Sequence, residues 1–147
     1  MSDFIIRNAA QQASQRSIDA VRSKNKAAWV NNFAEDGCIE DPVGVSMLDA
    51  TGNGHTGHAA IGAFWDMFIG GSKVDFVIRE SFPSGTSAVA NVGAVVTTLD
   101  DGSIIEAKGV FIYHVNADGK VSHLRAYWDF DSTMAAIKKP EAVTAAA

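Results

Sequence analysis

The sequence predicts a single domain of α+β fold, in which three helices precede a meander of about four strands. Through the first half of the chain, apolar residues recur at three- and four-residue steps, which is the spacing of one helix face. From residue 74 onward they alternate with polar residues, and turn sequences separate the alternating runs. A chain of 147 residues also buries enough surface for one core without disulfides.

The first two helices are predicted from spacing and capping residues. Residues 3–23 have helical spacing, and Ser17 is the single polar member of their apolar face. Asn25 is a typical N-cap for a second helix that carries Trp29 and Phe33. Gly37 is placed to end that helix.

A glycine-containing loop over residues 45–58 precedes the third helix. Gly70 and Gly71 follow that helix and end it. One side of it is apolar and aromatic, and this side comprises Ile61, Phe64, Trp65 and Phe68.

The four strands are predicted at residues 74–82, 87–99, 103–115 and 120–130. Strict alternation on the third strand places Ala107, Phe111 and Tyr113 on one face. On the last strand, Leu124, Ala126 and Trp128 share the face that meets the core. The opposite face carries His123, Arg125 and Tyr127, and we expect it to meet solvent or a second subunit.

The charge and the cysteine content of the sequence argue against several classes of function. A net charge of −5 argues against a nucleic-acid partner or an anionic membrane surface. Cys38 is the only cysteine, which excludes a disulfide framework and a cysteine-rich metal site. No stretch reads as a signal peptide or reaches membrane-spanning length, so we expect a cytoplasmic protein.

The stretch "CIEDPVG", residues 38–44, sets Glu40 and Asp41 against a proline. Alternation places Asp41 on the same face as Ile39 and turns Glu40 to the other face, which we expect to be exposed to solvent. Pro42 favours extended backbone at Asp41. A partly buried carboxylate there has a raised pKa, as a general base requires. The alternative is that Asp41 caps the following loop, and the local pattern leaves both interpretations open.

Other polar groups give weaker signals. His55 and His58 have the i, i+3 spacing of a metal-binding pair, but no third ligand lies nearby in the sequence. We therefore expect two solvated loop histidines and no metal site. Asp129, beside Trp128 at a strand end, is a second candidate acid.

Three stretches, "FAEDGCIEDPVG", "GHAAIGAFW" and "VNADGKVSHLRAYWD", resemble the steroid Δ-isomerase (ketosteroid isomerase) branch of the NTF2-like, SnoaL-like superfamily. The resemblance implies a cone in which three N-terminal helices pack on a curved, mostly antiparallel sheet around an apolar pocket. It also implies a homodimer. We accordingly expect one NTF2-like domain over residues 1–135 and a flexible tail over residues 136–147.

The resemblance also implies roles for individual residues. Asp41 falls on the family's catalytic base. Ser17 stands where the family has an oxyanion-hole tyrosine, and Phe111 stands where it has a second donor, an aspartic acid. Trp65 replaces a tyrosine of the third helix, and Trp128 falls on an aromatic residue that lines the steroid pocket.

The leading hypothesis is therefore a cofactor-independent isomerase that acts on a hydrophobic, steroid-like or polycyclic substrate. Asp41 would shuttle the proton, while Tyr113, Ser17 or Trp65 would hold the developing oxyanion. The residues expected to contact the substrate are Phe64, Trp65, Phe111, Ala126 and Trp128. Three alternatives stay open: a non-catalytic carrier of hydrophobic ligands, a lyase or cyclase with the same base, and a dimeric interaction module with a vestigial pocket.

Overall fold

A computed structural model describes residues 2–140 of the chain. Its helices are α1 (Ala9–Arg22), α2 (Lys26–Asn31), α3 (His58–Phe68) and α4 (Phe130–Ala135). Its strands are β1 (Phe33–Glu40), β2 (His55–Thr56), β3 (Lys73–Ser84), β4 (Ala88–Thr98), β5 (Ile104–Val115) and β6 (Val121–Tyr127).

The six strands form one mixed sheet in the order β2-β1-β6-β5-β4-β3. Neighbouring strands run antiparallel, apart from β1 and β6, which run parallel. The first three helices precede β3, and the long strands β3 to β6 follow as a meander. The predicted α+β class is confirmed. The sheet gains two strands, β1 and β2, because residues 33–40, which include the start of "CIEDPVG", and part of the glycine-containing loop join it.

The second helix is shorter than predicted. It ends at Asn31, and Phe33 begins strand β1 instead of continuing the helix. Gly37 therefore lies inside β1 and does not end a helix. A Cβ at this position would lie 2.8 Å from the carbonyl oxygen of Val121. Glycine is required here because the backbones of β1 and β6 approach too closely for any side chain.

Asparagine side chains fix the starts of α1 and α2. Asn8 Oδ1 accepts a hydrogen bond of 2.8 Å from the backbone of Gln11, so α1 begins at Ala9 and not at residue 3. Asn25 Oδ1 accepts one of 3.0 Å from the backbone of Ala28, as its predicted capping role requires. Helix α1 thereby presents Ser17 to the interior, where it is 2% exposed.

The core lies between the helices and one face of the sheet. Its largest fully buried apolar side chains come from both layers: Ile18, Val21, Phe33, Ile39, Ile61, Val89 and Val121. Strands β4, β5 and β6 each bury alternate residues against the helices, as half-buried antiparallel strands do.

The end of the chain is only partly described. Helix α4 packs against β5, and Lys138 forms an isolated β-bridge with Ile104. The remainder of the predicted flexible tail, residues 141–147, lies outside the described residues. Within residues 2–140, no helix combines the length and the apolarity that crossing a bilayer demands.

Candidate active site

A cavity of about 300 Å³ opens between the helices and the inner face of the sheet. This is the lower end of the volume range of small-molecule sites. Most of its lining is aliphatic or aromatic. The polar side chains that reach it are Ser17, Asp41, Ser72, Thr97 and Tyr113, together with the indole groups of Trp29 and Trp128.

Asp41 enters this cavity because of the parallel pairing of β1 and β6. It follows the last residue of β1, and Trp128 follows the last residue of β6. The turn after Asp41 is held against β6 by a 2.9 Å hydrogen bond from Val43 N to the carbonyl oxygen of Ala126. Trp128 Nε1 then donates a hydrogen bond of 2.6 Å to Asp41 Oδ1. The indole orients the carboxylate at the cavity wall.

Burial raises the pKa of the Asp41 carboxyl above its ordinary value. The hydrogen bond from Trp128 and the charge of His55 both oppose this shift, without reversing it. A carboxylate with a raised pKa is a stronger base, and a general base works best when its pKa lies near the operating pH. Asp41 therefore has the environment of a general base.

A second polar cluster in the cavity joins α1, α2 and β5. Trp29 Nε1 donates to Ser17 Oγ over 3.1 Å, and the Tyr113 hydroxyl donates to the same oxygen over a long 3.5 Å. A serine oxygen accepts two hydrogen bonds and still carries one hydrogen to donate. Neither of these two hydrogen bonds uses the hydroxyl hydrogen of Ser17.

Tyr113 stays protonated throughout the physiological range. Burial raises the pKa of its phenol to about 12, against the effect of its hydrogen bond to Ser17. The charge of Asp41 raises the pKa of Tyr113 further, so the carboxylate and the phenol act on each other within one cavity. The arrangement sets a base and uncharged donors in the same apolar space.

The structure brings six of the eight predicted site residues to the cavity. These are Ser17, Asp41, Phe64, Phe111, Tyr113 and Trp128.

Trp65 and Ala126 do not line the cavity. Helix α3 directs Phe64 and Phe68 at the cavity, and the next residue after Phe64 on the helix points about 100° away. Trp65 instead packs against Trp29 and Gly70 in the core. Ala126 is fully buried beneath the turn that its carbonyl holds.

Trp29 is the site residue that the sequence analysis missed as a donor. Its helix was predicted, but the direction of its indole N–H depends on how α1 and α2 pack together. Its ring is 2% exposed and lies edge-on to Phe33, with centroids 5.1 Å apart. The only indication in the sequence was that Trp29 lies on the apolar side of a helix capped by Asn25.

Glu40 is not the exposed residue that alternation alone suggests. Its carboxylate pairs with His123 Nε2 at 2.6 Å and with Arg125 Nε at 2.9 Å on the outer face of the sheet. The register of β1 with β6 sets Glu40 beside Arg125, and its side chain is 13% exposed.

The two histidines of the glycine-containing loop differ from the expected solvated pair. His58 Nε2 lies 2.9 Å from the carbonyl oxygen of Phe33. His55 lies on β2, and its Nε2 atom is buried without a hydrogen-bond partner in the described part of the chain. Residues 2–140 hold no cluster of three or more His, Cys, Asp or Glu side chains able to bind a metal.

Known proteins share both the sequence and this fold. Residues 14–124 match the SnoaL-like domain. The steroid Delta-isomerase of Nocardioides simplex is 28% identical over 113 residues, which cover 77% of this chain and 84% of that protein.

Two solved structures are similar over most of the chain. The Delta 5-3-ketosteroid isomerase from Mycobacterium sp. is 31% identical with a TM-score of 0.83, over 91% of this chain and 100% of that one. A Mycobacterium tuberculosis protein in complex with estradiol-17beta-hemisuccinate is 34% identical with a TM-score of 0.81, over 85% of this chain and 97% of that one.

A more distant structure, an M. tuberculosis epoxide hydrolase, shares the fold alone, with 15% identity and a TM-score of 0.70 over 86% of this chain and 87% of that one. The domain match spans most of the chain, and a ketosteroid isomerase is similar along nearly its whole length. This chain therefore belongs to the SnoaL-like, NTF2-like family, and its scaffold is that of the ketosteroid isomerases.

Proposed function

We propose that this protein is a cofactor-independent isomerase that moves a proton within a hydrophobic, steroid-like or polycyclic ketone. The observation that carries the proposal is the buried Asp41 carboxylate, whose pKa is raised, facing uncharged donors across an apolar cavity. Similarity to steroid isomerases supports the same reaction class.

In the proposed reaction, Asp41 removes a proton from a carbon next to the substrate carbonyl. The electron pair of the broken C–H bond forms a new carbon–carbon double bond, and the carbonyl oxygen becomes an oxyanion. The protonated Asp41 then returns the proton to a carbon further along the conjugated system. The carbonyl re-forms, the double bond has moved, and the carboxylate is regenerated.

The Ser17 hydroxyl is the donor we assign to the oxyanion, and the Tyr113 hydroxyl supports it by donating to Ser17 Oγ. A preorganised donor is typically worth about 10²- to 10³-fold in rate in a site without water. Trp29 orients Ser17 through its 3.1 Å hydrogen bond and leaves the serine hydrogen free for the ligand. Phe64, Phe111 and Trp128 provide the apolar surfaces that hold the ring system.

The proposal is tested by offering the purified protein a 5-ene-3-ketosteroid and following the absorbance of the conjugated product. Turnover that needs Asp41 supports the isomerase. Trp29 and Trp128 line the cavity, so quenching of tryptophan fluorescence reports binding independently of turnover.

The second candidate function is a non-catalytic carrier of hydrophobic ligands. It is favoured by Phe111, which sets an apolar ring on the cavity wall where the family has a donor. Quenching by the steroid without any turnover would support the carrier. A lyase or cyclase would use the same Asp41 base and would convert a substrate other than the 5-ene-3-ketosteroid.

We also propose that two copies pair through the outer face of the sheet. Val92, Val110 and Tyr127 lie side by side there across β4, β5 and β6. Val77, Phe82 and Tyr127 are 51%, 52% and 45% exposed. An apolar sheet face of this extent is typical of a surface that a partner covers.

A further inference from the structure

We propose that His55 is a positioning residue that keeps Asp41 ionised and thereby sets the acidic limit of the reaction. This inference rests on the proposed function, since it assigns His55 a role in tuning the base. It is carried by the place of His55 on β2, its unpartnered buried nitrogen and the carboxylates around it.

The register of the sheet places His55 beside Asp41. His55 lies directly opposite Ile39 in the antiparallel pair of β1 and β2. Because side chains alternate along a strand, Ile39 and Asp41 share the inner face, and His55 opposite Ile39 shares it too. Diagonal neighbours of this kind lie within reach of long and aromatic side chains.

The His55 ring is held in place but one nitrogen is left without a partner. It packs against Phe64 with ring centroids 5.3 Å apart and an interplanar angle of 55°. Its Nε2 is buried and forms no hydrogen bond within residues 2–140. A buried polar atom without a partner costs stability, and such atoms in native proteins call for a functional reason.

Two carboxylates act on the imidazole from different elements. One is Asp41, at the end of β1, and the other is Asp49, in the loop that leads to β2. Burial raises the pKa of Asp49, but hydrogen bonds from Gly54 N at 2.7 Å, Thr51 Oγ1 at 2.9 Å and Gly52 N at 3.1 Å lower it below its ordinary value. Asp49 is therefore a fixed negative charge in the loop that leads to β2.

The remaining titratable groups on the packed elements are engaged elsewhere. On β1, the Glu40 carboxylate pairs with His123 and Arg125, and Cys38 Sγ lies 3.8 Å from the carbonyl oxygen of Asn53. Glu35 and Asp36, also on β1, are exposed. On α3, two such groups occur. His58 lies against the carbonyl oxygen of Phe33, and Asp66 pairs with Lys26 at 2.9 Å.

Removing the imidazole has a defined consequence for the base. Burial raises the pKa of Asp41, while Trp128 and the charge of His55 lower it. Without His55, only Trp128 opposes burial, so Asp41 takes up its proton at a higher pH. Because the base must be ionised to act, activity is then lost at a higher pH as the solution is acidified.

The experiment compares wild type with His55→Gln and with His58→Gln as the matched control. Each variant is labelled with ¹³C at the aspartate carboxyls, and the Asp41 carboxyl, assigned with Asp41→Asn, is titrated by NMR. The acidic limb of kcat/KM is measured on the same samples. We expect the Asp41 midpoint and the limb to move up by about half a pH unit or more in His55→Gln, and to stay in place in His58→Gln.

Unchanged midpoints in His55→Gln would overturn the proposal. The NMR titration needs no substrate, so it tests the role of His55 even if the protein turns over no ketone. A lack of turnover would contradict the proposed isomerase and not the role of His55. If His55→Gln does not fold, His55→Asn takes its place. An Asp41 midpoint equal to that of wild type in His55→Asn would likewise overturn the inference.

Discussion

At the scale of single residues, the central feature is a carboxylate held where its charge is costly. Asp41 lies at the wall of an apolar cavity, and Trp128 is the side chain that donates to it within the described residues. Burial disfavours the ionised form and makes that form a stronger base. The same placement that prepares Asp41 for proton transfer therefore weakens the fold.

This cost predicts that Asp41→Asn stabilises the protein. The folded-state pKa of Asp41 is raised, so the folded state binds the proton more tightly than the unfolded state does. Wild-type stability consequently falls as the pH rises through these pKa values. We expect the variant to melt about 2 °C or more above wild type at pH 8, and the gap to close in acid. Asp36→Asn, an exposed change on the same strand, is the control for thermal melts. A variant that melts lower than wild type at pH 8 would contradict the account.

The polar cluster of Ser17, Trp29 and Tyr113 predicts a second result at the residue scale. Tyr113→Phe and Ser17→Ala each remove one donor or its immediate partner, so each should lower kcat by about 10- to 10³-fold with a smaller change in KM. Thr97→Val removes another cavity hydroxyl and serves as the control, because Thr97 takes no part in the cluster. Steady-state kinetics distinguish the three. Equal losses in all three variants would mean that the cluster has no special role.

At the scale of elements, the parallel pairing of β1 with β6 builds the site. It brings the ends of two strands together, and with them Asp41 and Trp128. Alternation along β5 and β6 could be predicted from sequence, and so Phe111 and Tyr113 were assigned to the inner face correctly. The pairing of β1 could not, because its partner lies more than 80 residues away in the chain. For this reason Glu40 was expected in solvent and instead lies in an ion-pair cluster.

Helix packing limits the sequence analysis in the same way. The apolar face of α3 could be predicted from the sequence, but neighbouring residues on that face point to different parts of the interior. Phe64 reaches the cavity and Trp65 does not. Trp29, on a helix of six residues, reaches Ser17 only because α1 and α2 pack at a particular angle.

Gly37 allows a test of the β1–β6 pairing. Gly37→Ala would place a Cβ 2.8 Å from the backbone oxygen of Val121, which cannot rotate away as a side chain does. The strands must separate, so we expect a loss of about 1–3 kcal/mol in the free energy of unfolding. Gly71→Ala is the control, since no atom lies within 4 Å of its Cβ position. Urea titrations that give equal values for the two variants would contradict the close approach.

At the scale of the whole molecule, one face of the sheet forms the cavity and the other exposes apolar side chains. The α+β class, the helices-first order and the six cavity residues follow from periodicity and the family resemblance. The mixed topology of the sheet does not, because it depends on long-range pairing. The predicted homodimer would form through this outer face.

That prediction is tested with Val110→Lys, which sets a charge at the centre of the outer face between Val92 and Tyr127. We expect wild type to sediment as a dimer and the variant as a monomer, because a buried unpaired charge is costly. Lys108→Gln, on the same strand and face, is the control. A monomeric wild type would contradict the proposed pairing.

The central claim is that Asp41 moves the proton, and the turnover of Asp41→Asn tests it most directly. At saturating 5-ene-3-ketosteroid, the account predicts a kcat about 10²- to 10⁴-fold below wild type. Tryptophan quenching should show that the steroid still binds, and Asp36→Asn should turn over normally. Turnover in Asp41→Asn equal to that of wild type would contradict the claim.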